Sequence, residues 1–161
     1  MSREILFRAK AINRDPDREY RTNYKNGDWV YGLVTTMYDD RFPNLPAEMK
    51  NTDGVSGIDV DYRTIGEYTG LTDKNGTKIF EGDILDFGGR NFRVFWNYES
   101  YQWQATIKRN GFDFPVYDGI ETHRPVECVT LGWIAAEVPI IGSMSTEIVG
   151  NIYDNPELIK D

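Results

Sequence analysis

The chain has little of the side chains that most often carry catalysis and metal binding. Its 161 residues include one histidine, His123, and one cysteine, Cys128. A single cysteine cannot form an internal disulfide, which is typical of a reducing compartment. The usual zinc sites need four Cys or His ligands, so this pair cannot build one. His123 lies in a polar stretch typical of a surface loop, and Cys128 lies in an apolar run typical of a buried, inert thiol.

Several sequence motifs are also missing. There is no Walker A sequence, no Gly-x-Gly-x-x-Gly and no Gly-x-Ser-x-Gly. No stretch approaches the roughly 20 apolar residues that a membrane span requires, and the N-terminus has no apolar core of a signal peptide. We therefore expect a cytoplasmic protein that is not an enzyme, with no cofactor, no metal site and no membrane partner.

Acidic residues exceed basic ones by 26 to 18, for a formal net charge of −8. This charge argues against wholesale wrapping by nucleic acid. The distribution is uneven: residues 1–25 hold seven basic and four acidic side chains, whereas residues 111–161 hold two and nine. This asymmetry either attracts copies of the protein head to tail or reflects two solvated faces.

The aromatic residues, 14% of the chain, favour strands. Apolar and polar residues alternate around residues 5–9, 58–62, 92–96 and 101–107, which predicts strands there. The Asn26–Gly27 and Asn75–Gly76 pairs predict tight turns, because both residue types tolerate positive φ. No helical periodicity longer than about ten residues occurs. The predicted fold class is mainly β, with short strands, hairpins and little helix.

Two segments are predicted to be irregular. Residues 38–57, rich in Pro, Gly, Asp and Asn, are predicted to form a long loop with one helical turn around residues 46–50. The sequence leaves open whether this loop is functional or merely mobile. Near the C-terminus, Asn155 followed by Pro156 predicts an N-cap and a closing helical turn.

One stretch combines basic and aromatic side chains in the pattern that single-stranded nucleic acid requires. The candidate binding residues in it are Arg90, Arg93, Trp96, Trp103, Lys108 and Arg109. Trp96 and Trp103 also fall on the apolar faces of two predicted strands, so core packing is the plainer interpretation. The sequence does not decide between core and binding surface.

Three pairs of acidic residues have the i, i+2 spacing that puts both carboxylates on one strand face. They are Asp15 with Asp17, Asp59 with Asp61, and Glu81 with Asp83. Such pairs either bind a hard cation or form solvated turns beside strands, and the second interpretation is favoured.

The order of several motifs resembles the YopX family. They are Arg-Glu-Ile-Leu-Phe-Arg-Ala (3–9), Trp-Val-Tyr-Gly (29–32), Tyr-Thr-Gly-Leu-Thr-Asp-Lys-Asn-Gly (68–76), Glu-Gly-Asp (81–83) and Gly-Asn-Ile-Tyr-Asp-Asn-Pro-Glu-Leu (150–158). The resemblance runs from end to end and is weaker at 38–57 and 110–145. Lys10 departs from the family pattern, which often has Trp at this place.

The resemblance implies an origin in bacteriophages or prophages of Gram-positive bacteria, a fold that includes an SH3-like small barrel, and homo-oligomers. It supplies no catalytic residues. We assign the SH3-like barrel to residues 64–161, with an N-terminal β segment and long loop, 1–63, packed on it to give one compact YopX-like unit.

The leading hypothesis is a non-catalytic, oligomeric binding or scaffold module in the cytoplasm of the bacterial host cell. One alternative is a nucleic-acid-associated protein of phage replication or regulation, which the net charge does not support. Another is a metal-dependent enzyme that uses Asp59, Asp61, Glu81 and Asp83.

Overall fold

A computed structural model describes residues 4–13, 23–37, 46–87, 89–106, 128–131 and 146–159, with backbone only for 128–130. Their strands are β1 (Phe7–Lys10), β2 (Trp29–Thr36), β3 (Ala47–Asn51), β4 (Ile58–Val60), β5 (Gly66–Thr72), β6 (Lys78–Phe80), β7 (Asp83–Phe87), β8 (Arg90–Asn97), β9 (Gln102–Thr106), β10 (Cys128–Thr130) and β11 (Glu147–Asn151). Two short 3-10 turns, Tyr62–Thr64 and Pro156–Leu158, also lie in the described part of the chain. None of the described residues forms a helix able to cross a membrane. The predicted mainly β fold with little helix is confirmed.

The chain divides into two compact units, residues 1–68 and 69–161. An antiparallel sheet in the order β4-β3-β2-β1-β5-β6 begins in the first unit. β5 crosses the division and pairs with β6 in the second. The remaining strands form a five-stranded antiparallel sheet in the order β10-β9-β8-β7-β11.

The sheet of the first unit curls so that β4 returns to the end of β1. Ala11 and Val60 form an isolated antiparallel bridge, flanked by hydrogen bonds from Ile12 N to Asp59 O and from Asp61 N to Lys10 O, both 2.8 Å. In the five-stranded sheet, no described pairing joins the end strands β10 and β11. The SH3-like barrel assigned to residues 64–161 therefore stays a prediction, and partial closure occurs in the first unit.

The core of the first unit follows the alternation of its strands. Seven buried residues form it: Ala9, Ala11, Val30, Ala47, Met49, Ile58 and Val60. Part of the predicted 38–57 loop is therefore wrong, since residues 47–51 form β3 between β2 and β4. The helical turn predicted there is also wrong. Ala47 and Met49 alternate with polar neighbours on a strand, and the surrounding Pro, Gly and Asp residues obscured this period of two.

β2 and β3 approach each other closely at Gly32. A Cβ atom added there would overlap the carbonyl oxygen of Lys50 and would lie 2.8 Å from Asn51 Cα. The obstacle is backbone, which cannot rotate away as a side chain can. Glycine is therefore required at this position by space and not by its φ angle.

The turns predicted at the two Asn-Gly pairs are present. Gly27 and Gly76 have φ angles of +90° and +78°. The second turn joins β5 to β6 as expected. The first leads into β2, which pairs with β1 instead of forming a hairpin with the residues just before the turn.

The core of the second unit lies on one face of the five-stranded sheet. Its buried residues are Ile79, Leu85, Phe92, Val94, Ala105 and Leu131. Leu71, Phe87, Trp103 and Ile148 pack against them. The predicted alternation of Phe92 and Val94 on one face of β8 is thus observed.

Asp73 ties the β5–β6 turn to β11. One carboxylate oxygen accepts the backbone N–H groups of Asn75 and Thr77, both at 2.9 Å, and the other accepts that of Ile148 at 3.2 Å. Burial raises the pKa of this carboxyl, but the N–H groups of Thr77, Ile148 and Asn75 stabilise the anion, and the net result is a pKa below its ordinary value. Nearby, Lys74 forms an ion pair with Glu147.

The C-terminal motif is held by its asparagines. Asn151 Oδ1 accepts the N–H groups of Tyr153 and Asp154, both at 3.0 Å, and Ile152 N donates to Gly82 O at 2.9 Å. A 3-10 turn follows Asn155, which occupies its N-cap position as predicted. The Asn155 side chain makes no capping bond and instead accepts from Asn151 N at 3.4 Å.

We expect Gly32→Ala to lower the free energy of unfolding by about 3 kcal/mol, because β3 must move to make room for the methyl group. Urea denaturation would measure the loss. Gly150→Ala is the comparison and should cost less, since the three atoms nearest to its added Cβ belong to the side chain of Asn155 and not to backbone. Equal losses in the two variants would show that the β2–β3 approach is not the constraint.

We expect Asp73→Ala to lower the free energy of unfolding by about 3 kcal/mol at neutral pH, because three backbone N–H groups lose a charged acceptor. The native pKa is lowered, so the stabilisation by the Asp73 anion is complete above its unfolded pKa of about 3.9 and falls as pH drops through the native pKa. Urea denaturation at neutral and acid pH should show a gap between wild type and variant that narrows below about pH 4. Asp53→Ala, in an exposed turn, should match wild type at both pH values; a gap constant with pH would contradict the role of the charge.

Candidate binding surface

The predicted basic and aromatic residues of β8 and β9 do not come together as one surface. Arg90 is exposed at the start of β8, six residues and thus about 20 Å from Trp96. Arg93 lies on the opposite face of β8 from Trp96, and its guanidinium carbon is 5.4 Å from the centroid of the Phe95 ring. Lys108 and Arg109 lie outside the described residues.

The two tryptophans pack against each other. Trp96 and Trp103 are directly opposite in the β8–β9 register, and their rings meet edge to face with centroids 5.1 Å apart. Trp103 also packs against the core of the second unit. This position favours the core interpretation of Trp103 over that of a base-stacking platform.

The turn between β8 and β9 presents two other aromatic side chains. Tyr98 is 71% exposed and Tyr101 is 78% exposed, the latter with a left-handed backbone at φ 51°. Below them, buried Asn97 donates from Nδ2 to Oε1 of buried Gln104 at 2.9 Å, and Asn97 Oδ1 accepts from Glu99 N at 2.9 Å. The turn is therefore held rigidly, with no described basic residue within it.

A different exposed surface lies on the first unit. Val30 belongs to the core, whereas alternate residues of β2, Trp29, Tyr31 and Leu33, point away from it. Tyr31 is 39% exposed and Leu33 48% exposed. We call the side of this sheet that faces away from the core the outer face of the first unit.

Each of these three outward residues has a basic residue directly opposite it on a neighbouring strand. Lys10 is opposite Trp29, Arg8 is opposite Tyr31, and Lys50 is opposite Leu33. Directly opposed side chains on one sheet face lie within about 5 Å at Cβ, so they are in contact range. The outer face is thus basic and aromatic where β2 begins.

Two of these cations rest on the indole of Trp29. The Arg8 guanidinium carbon is 4.6 Å and the Lys10 Nζ 4.7 Å from the Trp29 ring centroid. Lys10 Nζ also donates to Gly27 O at 3.2 Å. Cation–π attraction of this kind, roughly 0.5–2 kcal/mol per contact, holds both long side chains flat on the sheet.

The outer face becomes acidic where β2 ends. Glu48 lies opposite Thr36 on one side and opposite Asp59 on the other. The Thr36 hydroxyl donates to Glu48 Oε2 at 3.4 Å. Along β3, Lys50 and Glu48 are therefore separated by one residue, on the same face and with opposite charge.

The acidic pairs do not assemble into a cation site within the described residues. Asp61 accepts from the Arg63 backbone N–H at 3.0 Å and forms a 2.8 Å ion pair with its guanidinium, and these bonds lower the pKa of Asp61. Asp83 is buried and accepts from Phe80 N at 2.8 Å. No group of three metal-ligating side chains occurs in the part of the chain that the structure describes.

Of the other residues that the sequence analysis considered for chemistry, the structure describes only some. Asp15, Asp17 and His123 lie outside the described residues. Cys128 begins β10, and its backbone pairs with Thr106. The outer face itself was missed because its residues come from four strands, β1 to β4. One signal was available: Trp29, Tyr31 and Leu33 are as apolar as the core residues with which they alternate.

Comparison with known proteins gives a family and structural neighbours. A family model described as "YopX protein" matches residues 19–160. No curated protein matches the chain. Among solved structures, the crystal structure of protein EF1440 from Enterococcus faecalis aligns over 99% of this chain and 100% of that chain, with 21% sequence identity and a TM-score of 0.44.

The family match spans most of the chain, including the Tyr-Thr-Gly-Leu, Glu-Gly-Asp and C-terminal motifs. In the structure these motifs form the Asp73 turn, the bond between Gly82 and Ile152, and the Asn151 network. The resemblance seen in the sequence is thereby confirmed: the chain belongs to the YopX protein family.

Proposed function

We propose that this chain is a non-catalytic binding or scaffold module that works as a homo-oligomer. The observation that carries the proposal is the outer face of the first unit, where exposed Tyr31 and Leu33 are bordered by charges of both signs. Apolar residues surrounded by a polar rim are typical of protein interfaces. The proposal also rests on the described acidic side chains, because Asp61, Asp73 and Asp83 are occupied with structural hydrogen bonds.

Assembly through a sheet face is better supported than assembly through a sheet edge. On β11, the N–H groups of Ile148 and Asn151 already donate to the side chains of Asp73 and Asn155. On β6, Phe80 N donates to Asp83. Side chains that occupy edge donors discourage the addition of another strand.

Family membership and the resemblance of the motifs support a phage or prophage origin. We accordingly propose that the module acts in the cytoplasm of the bacterial host cell. The single cysteine is consistent with this reducing compartment.

A second candidate function is association with single-stranded nucleic acid during phage replication or regulation. The contact of Lys10 with Trp29 favours it, since positive charge beside aromatic rings is what such binding uses. The net charge of −8 and the acidic residues Glu48 and Asp59 on the same face oppose it.

Size-exclusion chromatography with light scattering on the full chain tests the leading proposal. At about 0.1 M salt, where exposed charges still interact over about 10 Å, we expect a mass that is a multiple of 18.6 kDa and no absorbance from nucleic acid. A mass of 18.6 kDa at every concentration would overturn the proposal. An oligomer whose nuclease-sensitive absorbance disappears at high salt would favour the second candidate.

Fluorescence anisotropy with a labelled single-stranded DNA homopolymer tests the second candidate directly. We expect binding too weak to saturate at moderate salt, because phosphates would be repelled by the net negative protein. Saturable binding that Lys10→Ala weakens, and that Arg90→Ala leaves unchanged, would reverse the order of the two candidates.

A further inference from the structure

The outer face of the first unit carries a positive and a negative side chain side by side on one strand. If a second copy of this face is turned so that its strands run the opposite way, each charge meets one of opposite sign. Lys50 of β3 lies opposite Leu33, and Glu48, two residues before Lys50 on the same strand, lies opposite Thr36. Two such faces that meet with their strands reversed place each lysine against a glutamate. A surface that is complementary to itself in this way is the requirement for a two-fold interface.

We propose that the partner of this face is a second copy of the same chain, related by a two-fold axis that crosses β2 and β3 near Val34 and Met49. Lys50 of each copy then faces Glu48 of the other, and the two Leu33 side chains lie beside the axis. This inference rests on the proposed function, because it names the interface through which the oligomer forms.

The composition of the face selects protein over nucleic acid. Leu33 is aliphatic and 48% exposed, so it offers apolar area but no ring on which a base could stack. Glu48 and Asp59 would repel a phosphate backbone that followed the basic residues across the sheet. Opposite charges in the stated order are instead what two reversed copies require.

The basic end of the face is held in place for such contact. Lys10 is held against Trp29 by a cation–π contact, which lowers the entropy that it would lose on association, while Arg8 beside it is buried. Tyr31, between them and Leu33, is 39% exposed and adds a rigid aromatic side chain of the kind that protein interfaces favour. Lys10 and Tyr31 do not belong to the Lys50–Glu48 pair, so they stay unchanged in the variants that test this pair.

The test uses two charge reversals, Lys50→Glu and Glu48→Lys. The first produces a copy with two acidic side chains at these positions, and the second a copy with two basic ones. Light scattering should show that each variant alone has a dissociation constant raised about tenfold or more, because both symmetric contacts become repulsive. An equimolar mixture should recover the wild-type assembly, since every contact then pairs opposite charges.

Asp53→Lys, a charge reversal in an exposed turn beyond β3, is the matched control and should leave assembly unchanged. Thermal unfolding of each variant shows whether the fold is retained. A wild-type oligomer that neither reversal weakens, or a mixture that does not recover it, would overturn this interface and leave the proposed function standing. A wild-type monomer would overturn the proposed function together with the interface.

Discussion

The first unit depends on one short strand that is hydrogen-bonded along both edges. β1 pairs with β2 on one edge, while on the other Phe7 and Arg8 pair with β5 and Ala11 meets Val60 of β4. These partners are distant in sequence, so their pairing closes long loops at a cost in chain entropy that the core must offset. The Ala11–Val60 bridge ends the meander and gives the sheet its curl.

The same pairing determines which side chains face outward. Because β1 is bonded on both edges, its residues have only the two faces of the sheet available. Ala9 and Ala11 point into the core, and small residues there allow Met49 and Val60 to fill the space. Arg8 and Lys10 must then lie on the outer face, where Trp29 accepts both cations. The charged and aromatic surface is thus a consequence of the core.

In the second unit, buried polar groups hold two turns in place. Asp73 joins a turn to β11, and Asn97 with Gln104 supports the β8–β9 turn from below. Each is buried with its acceptors used, which is the condition under which buried polar groups rigidify a structure. Asp73 belongs to one of the motifs that identify the family, and that motif therefore has a role in folding.

The sequence by itself determined the mainly β class, the turns at Gly27 and Gly76, the 3-10 turn after Asn155 and the family, since each follows from local backbone preference or from a contiguous motif. Only the tertiary structure decided that residues 47–51 form a strand and that Lys10 and Lys50 share a face with Tyr31. Strand register sets these relations, and register depends on pairing between distant segments that no local pattern encodes.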